Sequence, residues 1–258
     1  VQGVIKGTIR WERIGLVAIL STICYHIVLA VLAGGYPYPD YPDEWQVMST
    51  GLYLFGENVG AIERWTILLP LFEGILYKSL GFPLFLYFLC TWNIMIMSIL
   101  IASTYCIGKL YFDEETGVLA AVLVGLNWLV GYFGQRLFID AGMVAFGFLS
   151  IAFFFKYLRT RRRGYLFASG LGAGLALWTK EAALYLFLPI FCYLILRSRL
   201  RVRDLIFAGL GLALGCIPFM AVCGLKFGHP LNPFVERIVE YKGYAETTGL
   251  IKFNAGYL

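Results

Sequence analysis

Two groups of arginines, Arg159, Arg161, Arg162 and Arg163 and then Arg197, Arg199, Arg201 and Arg203, stand in short polar gaps between long apolar runs. In a chain that crosses a membrane, basic loops of this length stay on the cytoplasmic side. Both groups are therefore expected on one face, and the rest of the chain must be threaded around that constraint. The membrane itself follows from composition: 60% of the residues are hydrophobic and only 14% charged, far outside the range of a soluble domain of this length. The net charge of +5 sits largely in the loops, so it is a topology signal and not a nucleic-acid footprint. No nucleic-acid partner is expected.

Residues 14–33 are long enough to cross, and Lys6, Arg10 and Arg13 ahead of them hold the N-terminus inside. No small-residue cleavage site follows, so this run is expected to remain as a helix and not to be removed as a signal peptide. Residues 34–82 then form an external loop with two helices. In the first, Trp45, Met48, Leu52 and Phe55 recur at helical spacing opposite Gln46, Ser49 and Thr50, as in a helix lying in the membrane interface. The second, residues 65–80, looks like a span but is short, holds Pro70, and carries Glu73 and Lys78, each costing roughly 2.5 to 3.5 kcal/mol at mid-bilayer. Counting it as a span would also put the first arginine group outside. It is therefore read as interfacial or re-entrant.

Spans are then expected over residues 83–107, 117–134, 141–158, 166–179, 182–196 and 205–225, with an external tail from 226 to 258. The expectation is a single all-α membrane domain of about seven spans, multi-pass, with a cytoplasmic N-terminus. The six cysteines lie in apolar segments without CxxC spacing and are expected to be buried thiols without a disulfide.

The arms 166–179 and 182–196 are each about fifteen residues, which covers roughly 22 Å of an approximately 30 Å core. With the arginines anchoring the inner ends, the tip at Lys180 and Glu181 should lie below the outer surface, where charge is expensive and usually functional. A lysine at that depth can meet a lipid phosphate.

This threading puts Asp43, Glu44, Arg136, Asp140, Lys180, Glu181 and His229 on one external face, the expected active site. Each also has a plainer use. Asp43 suits an N-cap and Glu44 a first-turn acid. Arg136 and Asp140, at i and i+4, can neutralise each other on one helical face. Lys180 and Glu181 are adjacent, do not face each other on a helix, and so make a weaker structural pair. His229 stands in a proline-rich turn, where a histidine is usually only solvated. His26, inside the first span, is read as a packing residue. Gly170, Gly172 and Gly174 with Gly209, Gly211 and Gly215 follow no strand and read as helix packing, not a nucleotide loop.

Asp43-Glu44 after a first span, Gln135-Arg136-Leu137-Phe138-Ile139-Asp140 at the head of a span, Leu177-Trp178-Thr179-Lys180 at a hairpin tip and Phe227-Gly228-His229-Pro230 together resemble the GT-C membrane glycosyltransferases. The likeness is to the protein O-mannosyltransferase and lipid-A aminoarabinose transferase branch, over residues 14–234. Tyr41-Pro42-Asp43-Glu44-Trp45-Gln46 is also similar to the dolichol-linked mannosyltransferases of glycan assembly. The resemblance implies inverting transfer of a sugar, mannose or a related hexose, from a polyprenyl-phosphate carrier to a protein, lipid or glycan acceptor. The site would face outside a cell membrane, or the lumen in an endoplasmic-reticulum membrane. It also implies that Asp43 is the first-loop catalytic acid, Asp140 the second acidic position, and Lys180 a contact of the carrier phosphate. From their place on the external face, Glu44 is expected beside Asp43 at the catalytic position, Arg136 with Lys180 at the phosphate, and Glu181 and His229 around the substrate. The family's lysine-proline is replaced here by Leu69-Pro70, and family chains continue through further spans, so this one is expected to be an N-terminal module.

The chemistry suits such a transfer. A phosphate leaves without a general acid when cations take up its charge, so one carboxylate base and basic groups suffice. No cofactor is required by that scheme, and a divalent Mg or Mn ion is left open. A glycosidase would need two carboxylates in paired roles. A transporter would carry its charges at the midplane, often in repeated halves. The main alternative is a non-catalytic subunit or lipid-binding partner of a glycan-assembly complex.

Overall fold

The structure is a computed structural model that describes residues 42–57, 59, 67–81, 84–127, 130, 139–198, 200–236 and 238–239, with isolated positions between 17 and 28. The expected first span and the end of the external tail thus lie largely outside the described residues. The described elements are all helical: α1 (Pro42–Leu54), α2 (Leu68–Leu80), α3 (Leu84–Tyr111), α4 (Glu114–Leu126), α5 (Ile139–Thr160), α6 (Gly164–Thr179), α7 (Ala183–Ser198) and α8 (Val202–Phe227). Consecutive helices turn back on each other, and packing runs in the order α4, α3, α5, α6, α8, with α1 and α2 paired and laid against α3 and α6. Among the described residues α7 packs lightly, chiefly on α5 and α6.

Among the described residues, three helices are long and apolar enough to cross a membrane, over Trp92–Tyr111, Ile139–Thr160 and Val202–Phe227. The arms α6 and α7 are 16 residues each, close to the length read from the sequence. α4 stops at Leu126, earlier than the expected span over residues 117–134. α2 has 13 residues, about 20 Å of helix, with Pro70 in its first turn, where its missing N–H costs nothing. Its length agrees with the interfacial or re-entrant reading.

Small residues set the helix contacts. A Cβ on Gly170 would collide with the Ala208 carbonyl oxygen and one on Gly211 with that of Phe167, so α6 and α8 touch backbone to backbone. Gly174 and Gly215 meet in the same seam, a Cβ on the former falling 3.0 Å from the Cα of the latter. Such close approach is how helices associate where lipid removes the hydrophobic drive between them. Gly209 differs from its neighbours, since a Cβ there would meet nothing within 4 Å. Between α5 and α6, the Ser150 hydroxyl donates to the Ser169 carbonyl at 2.5 Å, fully buried.

The bundle has two unlike ends. At one, Lys109 pairs with Glu114 at 2.9 Å, Asp113 caps α4 by accepting the Thr116 N–H at 2.7 Å, and the described arginines of both groups lie on the neighbouring turns. That hydrogen bond holds the Asp113 carboxyl below the usual carboxylate range. At the other end, Leu54, Ile67, Trp178, Phe219 and Cys223 form one cluster joining α1, α2, α6 and α8. The expectation of buried cysteines fails for three of them: Cys24, Cys106 and Cys192 are exposed on the protein surface. An apolar run places a thiol in the membrane, but lipid serves as well as protein to keep it from water.

Candidate active site

The end opposite the arginines gathers polar groups for a local reason. α5 and α6 are antiparallel, and Gly142 near the start of α5 lets Thr179 at the end of α6 come close, a Cβ there falling 2.8 Å from Thr179 Cγ2. The residue after Thr179 is therefore delivered beside the residue before Ala141. Lys180 leaves the helix in extended conformation (φ −157°, ψ 134°), its N–H still donating to the Ala176 carbonyl at 3.1 Å. Its Nζ lies 2.6 Å from Asp140 Oδ1.

This pair sits at an open surface, with the Asp140 side chain 47% and the Lys180 side chain 23% exposed. An ion pair so exposed stabilises a fold by about 1 kcal/mol or less. An ammonium also has three donors, and Asp140 Oδ1 takes one of them. The residues around Lys180 turn inward: Trp178 is 1% exposed, stacked on Phe219 at 5.8 Å and edge-on to Phe234 at 5.3 Å, and Thr179 donates to the Leu175 carbonyl at 2.7 Å. Glu181 is buried in the turn before α7, where its carbonyl accepts the Leu184 N–H at 3.0 Å. Lys180 is thus presented outward by a tip whose other side chains are anchored.

The remaining expected site residues divide. Asp43 and Glu44 fall in the first turn of α1 behind Pro42, so Asp43 stands inside the helix and not ahead of it as a cap; their side chains lie outside the described residues. Val47, one turn beyond Asp43, is buried in the same core as Ile139, the neighbour of Asp140. Arg136 falls outside the described residues. His229 is exposed, and its Nδ1 accepts the Leu231 N–H at 3.1 Å just after the left-handed Gly228 that ends α8. That contact makes it a turn-builder.

One buried acid lies outside the expected set. Glu73 served in the sequence only as a charge too costly for a span, yet it is 1% exposed, deep in the contact of α2 with α1. A Cβ on Gly51 would lie 3.4 Å from its Oε2, so the glycine makes the room the carboxyl occupies. The usable signal was Gly51 and Gly74, small residues marking a helix contact around that acid. Among the described residues, which leave out the side chains of Asp43 and Glu44, no three His, Cys, Asp or Glu side chains gather where they could hold a metal ion.

An all-helical bundle with apolar helices of spanning length, and an acid–lysine pair displayed at one end, has the architecture of a polytopic membrane protein. The family comparison makes this specific: residues 66–223 match the dolichyl-phosphate-mannose-protein mannosyltransferase family, and the chain belongs to it. The match takes in Asp140, Lys180 and Glu181 and stops short of Asp43, Glu44 and His229. No curated protein matches the chain, and no solved structure does.

Proposed function

We propose that the chain transfers mannose or a related hexose, with inversion, from a polyprenyl-phosphate carrier to a hydroxyl of a protein, lipid or glycan acceptor at the outer or lumenal face. The observation that carries this reading is the Lys180–Asp140 pair, exposed at the end opposite the arginines on a hairpin too short to reach through a full bilayer. In the step proposed, the acceptor oxygen attacks the anomeric carbon from the side opposite the phosphate. The bond from that carbon to the phosphate oxygen breaks, its electron pair leaves on the phosphate, and the acceptor proton passes to a carboxylate, assigned to Asp43. Lys180 takes up the phosphate charge as it develops, and Asp140 fixes where that ammonium stands. Glu44, Arg136, Glu181 and His229 are assigned to the surroundings of the substrate. The direct test is incubation of the purified protein with radiolabelled polyprenyl-phosphate mannose and membrane acceptors, where absence of transferred label would leave a non-catalytic role.

Two further results are expected. Lys180→Met keeps the aliphatic stem and removes the charge. Loss of a charge-assisted contact of about 1.5 to 3 kcal/mol weakens polyprenyl-phosphate binding roughly 10- to 100-fold. Asp140 is half-exposed, so the melting temperature in detergent should barely move. A large stability loss with unchanged lipid affinity would assign Lys180 to structure. For orientation, single cysteines at Glu57, Arg136 and Glu246 in a cysteine-free background should react with an impermeant external reagent, and one at Arg162 should not. Labelling of only part of the first set would break the common face.

A further inference from the structure

The arginine end carries a cavity, remote from the proposed catalytic end. Tyr157, Arg161, Arg163, Ser198, Arg201 and Asp204 line a space of about 810 Å³ where the turn between α5 and α6 meets the turn between α7 and α8. Three arginines face one carboxylate there, so the lining carries a net charge of +2. Asp204 is buried and committed to the structure, holding Arg163 Nε at 3.0 Å and accepting the Arg201 backbone N–H at 3.3 Å. Topology asks only that basic residues occupy the short loops. It does not require arginines from two separate turns to converge on one cavity.

Arg161 adds a cost that topology leaves unexplained. With φ 57° it is the one non-glycine residue with positive φ among the described residues, at a helix end where glycine is the usual occupant. Its N–H donates to the Tyr157 carbonyl at 2.7 Å, and its guanidinium lies 5.6 Å from the Tyr157 ring centre. A strained conformation kept for an arginine points to use of its side chain. The cavity also lies at the N-terminal ends of α6 and α8, whose caps are Arg163 and Arg201, so both helix dipoles add to the positive potential.

An apolar groove lies next to the polar cavity. Phe154, Ile195, Leu200 and Leu205, each within one turn of a cavity residue, belong to a groove of about 360 Å³ between α5, α6, α7 and α8. A soluble phosphate compound would leave that groove empty, and a zwitterionic head group would not answer a charge of +2. We propose that this end binds an anionic phospholipid, its phosphate among Arg161, Arg163 and Arg201 and one acyl chain in the groove beside α7. The inference stands independently of the catalytic reading.

The test is made on the whole chain in detergent, by melting temperature and by native mass spectrometry of retained lipid, with added phosphatidylglycerol, phosphatidylcholine or inorganic phosphate. Phosphatidylglycerol is expected to be retained and to raise Tm, and the other two are not. Arg201→Gln and Arg161→Gly should each weaken retention about five-fold, the effect of one cation near an anionic head group. Arg161→Gly should at the same time raise Tm without lipid, because glycine relieves the left-handed backbone. Arg162→Gln and Arg203→Gln remove the same charge from exposed positions outside the cavity and should change little. Gly209 lines the groove with open space before it, so Gly209→Leu should fill the groove and lower retention without disturbing the helices. Equal losses in all four arginine variants, equal retention of phosphatidylcholine, or the full Tm rise from inorganic phosphate alone would overturn the proposal. If Arg161→Gly does not fold, Arg201→Gln and Gly209→Leu carry the test.

Discussion

Asp43→Asn is expected to lower sugar transfer by about 10²- to 10⁴-fold while the protein folds and binds its lipid donor as before. Asparagine has the shape of aspartate and lacks only the charge and basicity. Because Asp43 lies in the first turn of α1, removal of its charge also costs a favourable interaction with the helix dipole, about 0.3 to 1 kcal/mol. That is a few-fold effect at most if it reaches the rate at all, so the two causes separate by magnitude. The comparison to run beside it is Glu44→Gln, which changes the dipole interaction by a similar amount. A base at position 43 predicts a much larger loss for Asp43→Asn than for Glu44→Gln; equal losses, or full activity in a folded Asp43→Asn protein, would reduce Asp43 to a helix-start residue. The test bears on a position outside the matched stretch of residues 66–223, which is why the family alone does not settle it.

The second large effect is expected on folding. Gly170→Leu and Gly211→Leu put side chains where backbone carbonyls of the facing helix now stand, and a carbonyl within a helix cannot swing aside as a side chain can. Overpacking of this kind costs about 1 to 3 kcal/mol, and more when backbone must move. Relief of helical glycine returns only about 0.5 to 1 kcal/mol. The clash therefore decides the sign. Gly209→Ala is the control, with nothing within 4 Å of its new methyl, and should be neutral or slightly stabilising. Because α8 is joined to the bundle mainly through α6, the two leucine variants should also loosen the Trp178–Phe219 stack that anchors the hairpin tip. Melting in detergent, followed by tryptophan fluorescence, reads both effects. Unchanged melting in Gly170→Leu would mean that the α6–α8 seam is not as close as described.

Helix lengths, the arginine end and the short hairpin were legible in the sequence because they depend on charge and on runs of apolar residues. Which side of each helix is buried was not. In water an amphipathic stripe marks the core, but a helix in lipid is apolar on both sides, so Cys106 facing outward and Cys223 facing inward look alike in the sequence. Glu73 argues in the sequence against a span, but nothing there shows that it lies buried in the α1–α2 contact. The i, i+4 rule offers Asp140 the partner Arg136, and Lys180 can be set against either Glu181 or Asp140 on sequence alone; the choice of Asp140 comes from the antiparallel approach of α5 and α6, a long-range contact fixed by Gly142 and Thr179.

The unequal lengths of the helices have a consequence for the lipid around them. α8, with 26 residues, is about 39 Å long, while α6 and α7, with 16 each, reach about 24 Å. No flat bilayer with a hydrocarbon core of about 30 Å matches both. A span that is too long tilts, and one that is too short draws the two leaflets together locally. A membrane pinched beside α6 and α7 brings water and head groups down to the depth of Lys180. On the function proposed above, a charged phosphate on a long lipid would then reach the lysine without leaving its polar surroundings, and a thicker host membrane would make that approach steeper.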